Sequence, residues 1–82
     1  EAPVAEHPQR TALVDVLVER GMIASGRVRV LEVGAGLGYV AKDVIARLRD
    51  AGREVQYTIA ELSPALAKAQ RERVGDAATW VE

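Results

Sequence analysis

The sequence predicts an α/β fold in which helices pack against a parallel sheet, and three observations predict it. Apolar, β-branched runs at residues 28–33 and 55–60 alternate with stretches of helical periodicity. Three alternate glycines, Gly34, Gly36 and Gly38, join the first run directly to a helical stretch, and an acid, Glu61, closes the second run. Strands separated by helices need crossover connections, and crossovers make neighbouring strands parallel.

Residues 1–9 hold Pro3, Pro8 and the single histidine, His7, and read as a loose lead-in; a lone histidine beside proline is given no role. Over 9–20 the apolar Leu13, Val14, Leu17 and Val18 recur at helical spacing, Thr11 can cap the start and Gly21 stops the end. This amphipathic helix is expected to pack on the sheet. Met22 and Ile23 should continue its apolar contact, with Ser25-Gly26 making the turn.

Residues 27–33 form the first strand. Its nearly unbroken Val/Leu content is that of a central parallel strand covered on both faces, with Arg29 close enough to the outer end to reach solvent. Glu32 interrupts the run. An unpaired carboxylate there would be costly, so Glu32 needs a partner, and a bound ammonium group is a good candidate.

The glycines follow. A chain that leaves a strand and enters a helix within a few residues needs backbone angles that a Cβ would obstruct, and it leaves bare backbone for a ligand to lie against. The helix behind the turn presents unpaired N–H groups and partial positive charge. On that helix Val40, Val44, Ile45 and Leu48 share one face, Lys42, Asp43, Arg47, Arg49 and Asp50 take the rest, and Gly52 ends it. Its about 14 residues, roughly 21 Å, carry the chain back for a second parallel strand over 54–61, reached by a right-handed crossover.

Ser63-Pro64 supplies an N-cap and a first-turn proline for a helix running to about Val74, closed by Gly75. Leu62, Leu66, Ala69 and Val74 make its narrow apolar stripe. Lys68, Gln70, Arg71, Glu72 and Arg73 are assigned to water. Residues 78–82 begin a third strand, with Asp76 and Ala77 in the lead-in turn and Trp80 assigned to the core.

Composition bounds the function. A chain of 82 residues makes one small domain and buries only about 60 to 65% of its unfolded surface. Lys+Arg 11 against Asp+Glu 12 gives no basic surface, so nucleic acid is not an expected partner. No run approaches the roughly 18 apolar residues of a membrane span, and no signal segment is recognised; a cytoplasmic location without membrane partners is the expectation. With no cysteine, disulfides, thiolate metal sites and a Cys nucleophile are excluded, and no metal ligand set is assigned.

Spacing narrows the ligand. The dinucleotide fingerprint would place its third glycine at position 39, which is Tyr39; here it falls at 38. Glu61 stands 23 residues beyond Gly38, close to the about 20 at which a carboxylate on the tip of a second strand accepts from ribose hydroxyls. Turn and acid together point to a nucleotide-like cofactor. A nicotinamide-dependent oxidoreductase and a non-catalytic scaffold remain as alternatives.

The stretch Glu32-Val33-Gly34-Ala35-Gly36-Leu37-Gly38 resembles motif I of the class I S-adenosylmethionine-dependent methyltransferases, an acid followed by G-x-G-x-G on a Rossmann-like fold. Leu37 departs mildly, standing where that family more often has Thr, Pro or Arg. The resemblance implies S-adenosyl-L-methionine as cofactor. Glu32 would help hold the methionine amino end, Glu61 the ribose, and Gly34, Ala35, Gly36, Gly38 and Leu62 would line the site.

Residues 57–73 are similar to the matching strand and helix of MidA-like methyltransferases, which carry an E-x-S-x-x-L-x-x-x-Q-x-x-x-L pattern at the ribose acid, and to carbon-methyltransferase domains of polyketide synthases. The resemblance implies methyl transfer to a polyketide intermediate or a protein side chain, the acceptor being undetermined. No catalytic base is assigned, because alignment is the main requirement when the leaving group is already charged. A complete domain of that family needs more than twice this length. Residues 1–82 are therefore expected to be the N-terminal half of a partial three-layer, Rossmann-like domain, inactive alone, within a longer chain.

Overall fold

The computed structural model describes residues 8–81, which run α1 (Pro8–Glu19), β1 (Arg27–Val33), α2 (Tyr39–Asp50), β2 (Glu54–Ala60), α3 (Pro64–Val74) and β3 (Ala78–Val81). A short 3-10 turn, Gly75–Ala77, leads into β3. The strands form one sheet in the order β1-β2-β3, both pairs parallel. The predicted elements therefore stand, with ends shifted by a residue or two. His7 and Glu82 lie outside the described residues.

Register carries the strand ends to the same level. Val30 pairs with Tyr57, Glu32 with Ile59 and Val33 with Ala60, while Ile59 in turn pairs with Trp80. Side chains alternate along each strand, so Val30, Tyr57, Ile59 and Ala78 fall on one face. There they meet Ala41 and Ile45 of α2 to make the core, with Val44, Val55 and Val74 packed around it. Ile59 and Leu48 are among the most deeply buried side chains.

The opposite face of the sheet is bare among the described residues, and this changes the expectation for β1. It is not covered on both sides: burial alternates strictly along it, and Leu31 and Val33 are 66% and 77% exposed. It is also an edge strand in this sheet. The apolar run that reads as a fully covered strand thus has one face buried under helices and one apolar face open.

The first helix also differs. Val14, Leu17 and Val18 are half-buried and Leu13 is exposed. The main neighbour of α1 is α2 rather than the sheet, and an Asp15–Arg47 ion pair joins the two helices, Arg47 Nε also donating to Asp43 at 2.9 Å. Val and Leu occur all round this helix, which leaves no single concentrated stripe to bury. Met22, expected in contact, is 69% exposed. Thr11 lies inside the helix and not ahead of it, so it is not the cap. Gly21 does stop α1: Met22 N–H reaches back to the Leu17 carbonyl at 2.9 Å, the pattern of a glycine-closed helix end. Among the described residues, no helix is long and apolar enough to cross a membrane.

Candidate cofactor site

The carboxyl ends of β1 and β2 lie side by side, and the chain turns over them. Gly34 N–H donates to the Ala60 carbonyl at 3.0 Å, which extends the β1–β2 ladder by one bond before the turn leaves the sheet. Gly34, Gly36 and Gly38 all have positive φ, at 68°, 57° and 90°, a region that costs a residue with a Cβ about 1–2 kcal/mol. Their surroundings differ. A Cβ on Gly34 or Gly36 would meet nothing within 4 Å, whereas one on Gly38 would stand 3.3 Å from Val74 Cγ2 and 3.4 Å from Gln70 Cα.

Two glycines therefore offer open backbone, and the third lets α3 approach the start of α2. Gly38 is buried, and Ala35 places its methyl in the core. If Ala35 touches a ligand, it does so through its backbone.

Glu32 is half-buried on the helix-covered face and has a protein partner: Tyr57 Oη donates to its Oε1 at 2.6 Å. Burial, then the hydrogen bond and charge of Glu32, push the Tyr57 hydroxyl well above the ordinary phenol range, so it remains a donor. The need of Glu32 for a partner is thus answered within the protein by a buried tyrosine, which is not the bound ammonium expected for it.

Glu61 follows β2 at the level of the glycine turn. Its Oε1 accepts from Gln70 Nε2 at 2.7 Å and its Oε2 from the Ser63 backbone N–H at 3.1 Å. The Gln70 amide first, then the Ser63 N–H, hold the Glu61 carboxyl below the ordinary carboxylate range; desolvation opposes them, and the Leu62 N–H adds to the lowering. Ser63 also caps α3, its Oγ accepting from Leu66 N–H at 3.2 Å. Leu62, between acid and cap, is 87% exposed.

Gln70 corrects the sequence assignment most sharply. Expected in water, it is 0% exposed. Its Nε2 donates to both Glu61 Oε1 and the Gly36 carbonyl, each at 2.7 Å, and its Oε1 accepts from the Trp80 indole N–H at 2.9 Å. Those partners fix the amide orientation, because an indole N–H can only donate and a carbonyl can only accept. One turn on, Arg73 is not free in solvent either: Nη1 donates to the Leu37 carbonyl at 2.8 Å and the guanidinium stands 3.8 Å from the Tyr39 ring centroid. Two side chains of α3 thus hold consecutive carbonyls of the turn. Trp80 is half-buried beside the core, as expected, with Arg71 stacked 5.2 Å from its ring centroid.

A signal for Gln70 was present. It lies four residues from both Leu66 and Val74, on the buried stripe itself, and at the Gln position of the E-x-S-x-x-L-x-x-x-Q pattern. Among the described residues no group of three or more His, Asp or Glu could hold a metal.

Residues 12–82 match the family model described as "Putative S-adenosyl-L-methionine-dependent methyltransferase". The chain belongs to this methyltransferase family. It is similar to a crystal structure of a "likely methyl transferase" from Burkholderia thailandensis bound to S-adenosyl-homocysteine, at 29% identity and TM-score 0.70 over 88% of this chain and 20% of that one. Similarity to Escherichia coli YjhP, at 18% identity and TM-score 0.53 over 94% of this chain and 33% of the other, bears on the fold alone. The non-reducing polyketide synthase tazA of Aspergillus terreus is 33% identical over 67 residues, 82% of this chain. The chain spans 3% of that synthase's length and a fifth to a third of the two solved relatives. Three parallel strands alternating with helices are thus a partial Rossmann-like methyltransferase fold.

The open backbone at Gly34 and Gly36 and the acid at the tip of β2 fit an adenosyl ligand. The Cβ positions of both glycines face empty space, which a flat or extended ligand can approach, and Glu61 is a braced carboxylate at the adjacent strand end.

Proposed function

We propose that this chain forms the cofactor-binding half of an S-adenosyl-L-methionine-dependent methyltransferase, and that the complete protein transfers the methyl group to an acceptor. The observation that most supports it is Glu61, fixed as an ionised acceptor by Gln70 and Ser63 beside a turn whose first two glycines stand open. When bound, the cofactor supplies a methyl group on a positively charged sulfur. Glu61 would accept from its ribose hydroxyls, Gly34 and Gly36 would let it lie close to backbone, and Glu32, set by Tyr57, would face its amino end. Exposed Leu62 would offer an apolar edge beside the ribose acid. The work of this half is binding and alignment, since the leaving group is already activated.

The acceptor class we favour is a carrier-bound acyl chain, on the strength of the similarity to the polyketide synthase; a protein side chain is the other candidate. A cytoplasmic location, and action without nucleic acid or membrane, belong to the same proposal; the balanced charge of the chain supports the part that concerns nucleic acid. Calorimetric titration of the full-length protein with S-adenosylhomocysteine and with NAD tests the cofactor. Heat with the first alone is expected, heat with NAD alone would make it an oxidoreductase, and heat with neither would leave a scaffold. Methyl label from the cofactor, followed onto an acylated carrier protein or onto total protein, tests the acceptor.

A further inference from the structure

The glycine turn and the ribose acid come from different strands, and something must keep them in fixed relation. They share one bond partner. Gln70, on α3, gives the two hydrogens of a single amide to the Gly36 carbonyl and to Glu61 Oε1, and its oxygen is held by Trp80 on β3. Full burial removes water as a competitor for all three bonds.

The bond to Gly36 has a directional consequence. The peptide between Gly36 and Leu37 is trans and planar, so its C=O and N–H point in opposite senses. With the carbonyl drawn to Gln70, the Leu37 N–H is aimed away from α3. The bond to Glu61 has another. A carboxylate has two oxygens to offer, and Gln70 with Ser63 N–H takes one bond at each, so the plane of the group cannot rotate.

We propose that Gln70 is a positioning residue of the cofactor site, which orients Glu61 and the Gly36–Leu37 peptide for the adenosyl ligand without touching that ligand itself. The proposal rests on the cofactor assignment above. It assigns α3 a part in binding that its charged, outwardly polar sequence conceals. It also makes Trp80 a remote support, since the indole fixes which end of the amide faces the site.

A double-mutant cycle in the full-length protein tests it, with S-adenosylhomocysteine affinity read by calorimetry for wild type, Q70M, E61Q and Q70M/E61Q. Q70M keeps the volume and removes all three bonds. It should weaken binding about tenfold or more, with the melting transition still cooperative. Because one of the two groups that Gln70 orients is Glu61, the loss must be smaller in the E61Q background, the remainder running through the Gly36–Leu37 peptide; an equal loss in both backgrounds overturns the proposal.

Should Q70M fail to fold, Q70E replaces it. That side chain can still accept from the Trp80 indole but turns a carboxylate onto Glu61 and the Gly36 carbonyl. The proposal requires Q70E to lose affinity while the Trp80 indole N–H resonance stays near its wild-type position, and unchanged affinity overturns it. Wild type that binds no S-adenosylhomocysteine overturns the cofactor assignment first, and so is told apart from either failure of Gln70.

Discussion

The Tyr57 hydroxyl donates to Glu32 Oε1 at 2.6 Å across neighbouring strands, two register pairs further along than the Val30 that faces Tyr57. A buried side chain of β2 thereby holds an acid of β1 at the edge of the candidate site. Y57F should keep the ring and lose this bond, at a cost of about 1.5 to 3 kcal/mol for a hydrogen bond to a charged group. Denaturant unfolding followed by circular dichroism measures it.

The same tyrosine gives an alkaline limb to stability. Its folded pKa is raised by burial and by Glu32, so its contribution is complete below its unfolded pKa of about 10 and is lost as pH climbs from there toward the folded value. Melting temperatures between pH 8 and about 11 should fall more steeply for wild type than for Y57F.

Glu61 works at the acid end. Its folded pKa is lowered, mainly by Gln70, so its contribution is present above the unfolded carboxylate pKa of about 4.3 and is lost as pH falls through the lower folded value. E61Q should flatten the acid limb of melting temperature against pH. E61A should weaken S-adenosylhomocysteine binding by roughly ten- to a hundredfold, because ribose hydroxyls would lose a charged acceptor.

The three turn glycines should not respond alike to alanine. G34A and G36A meet only the positive-φ penalty, about 1–2 kcal/mol each. G38A adds contacts of 3.3 Å to Val74 and 3.4 Å to the Gln70 backbone and should be the most destabilising. Combining it with V74A should recover only part of the loss, since the backbone contact and the positive φ remain.

S63A should cost about 1 kcal/mol by removing the cap on Leu66 N–H. The Ser63 N–H would still reach Glu61, so affinity for S-adenosylhomocysteine should change much less than stability does.

Local chemistry made most of the fold legible. Strand runs, the glycine turn, Ser63-Pro64 and the closing glycines each act within a few residues, and the corresponding elements lie where those signals put them. Long-range partners were less legible. Helical periodicity placed Gln70 beside the apolar Leu66 and Val74, but amide chemistry suggested water, and only the meeting of α3, the turn and β3 supplies the three partners that make its burial affordable. Glu32 shows the same limit. Its need for a partner followed from burial cost, while the identity of that partner depended on the register that brings Tyr57 alongside.

The bare face of the sheet has a practical corollary. Leu31 and Val33 stand exposed on a strand hydrogen-bonded on one side within this sheet, and exposed Val81 lies on the strand at the opposite border. Unpaired backbone next to sticky side chains is a template for strand addition between molecules. Concentrated alone, the chain should therefore oligomerise through β1, and a charged residue in place of Leu31 or Val33 should keep it dispersed without disturbing the glycine turn.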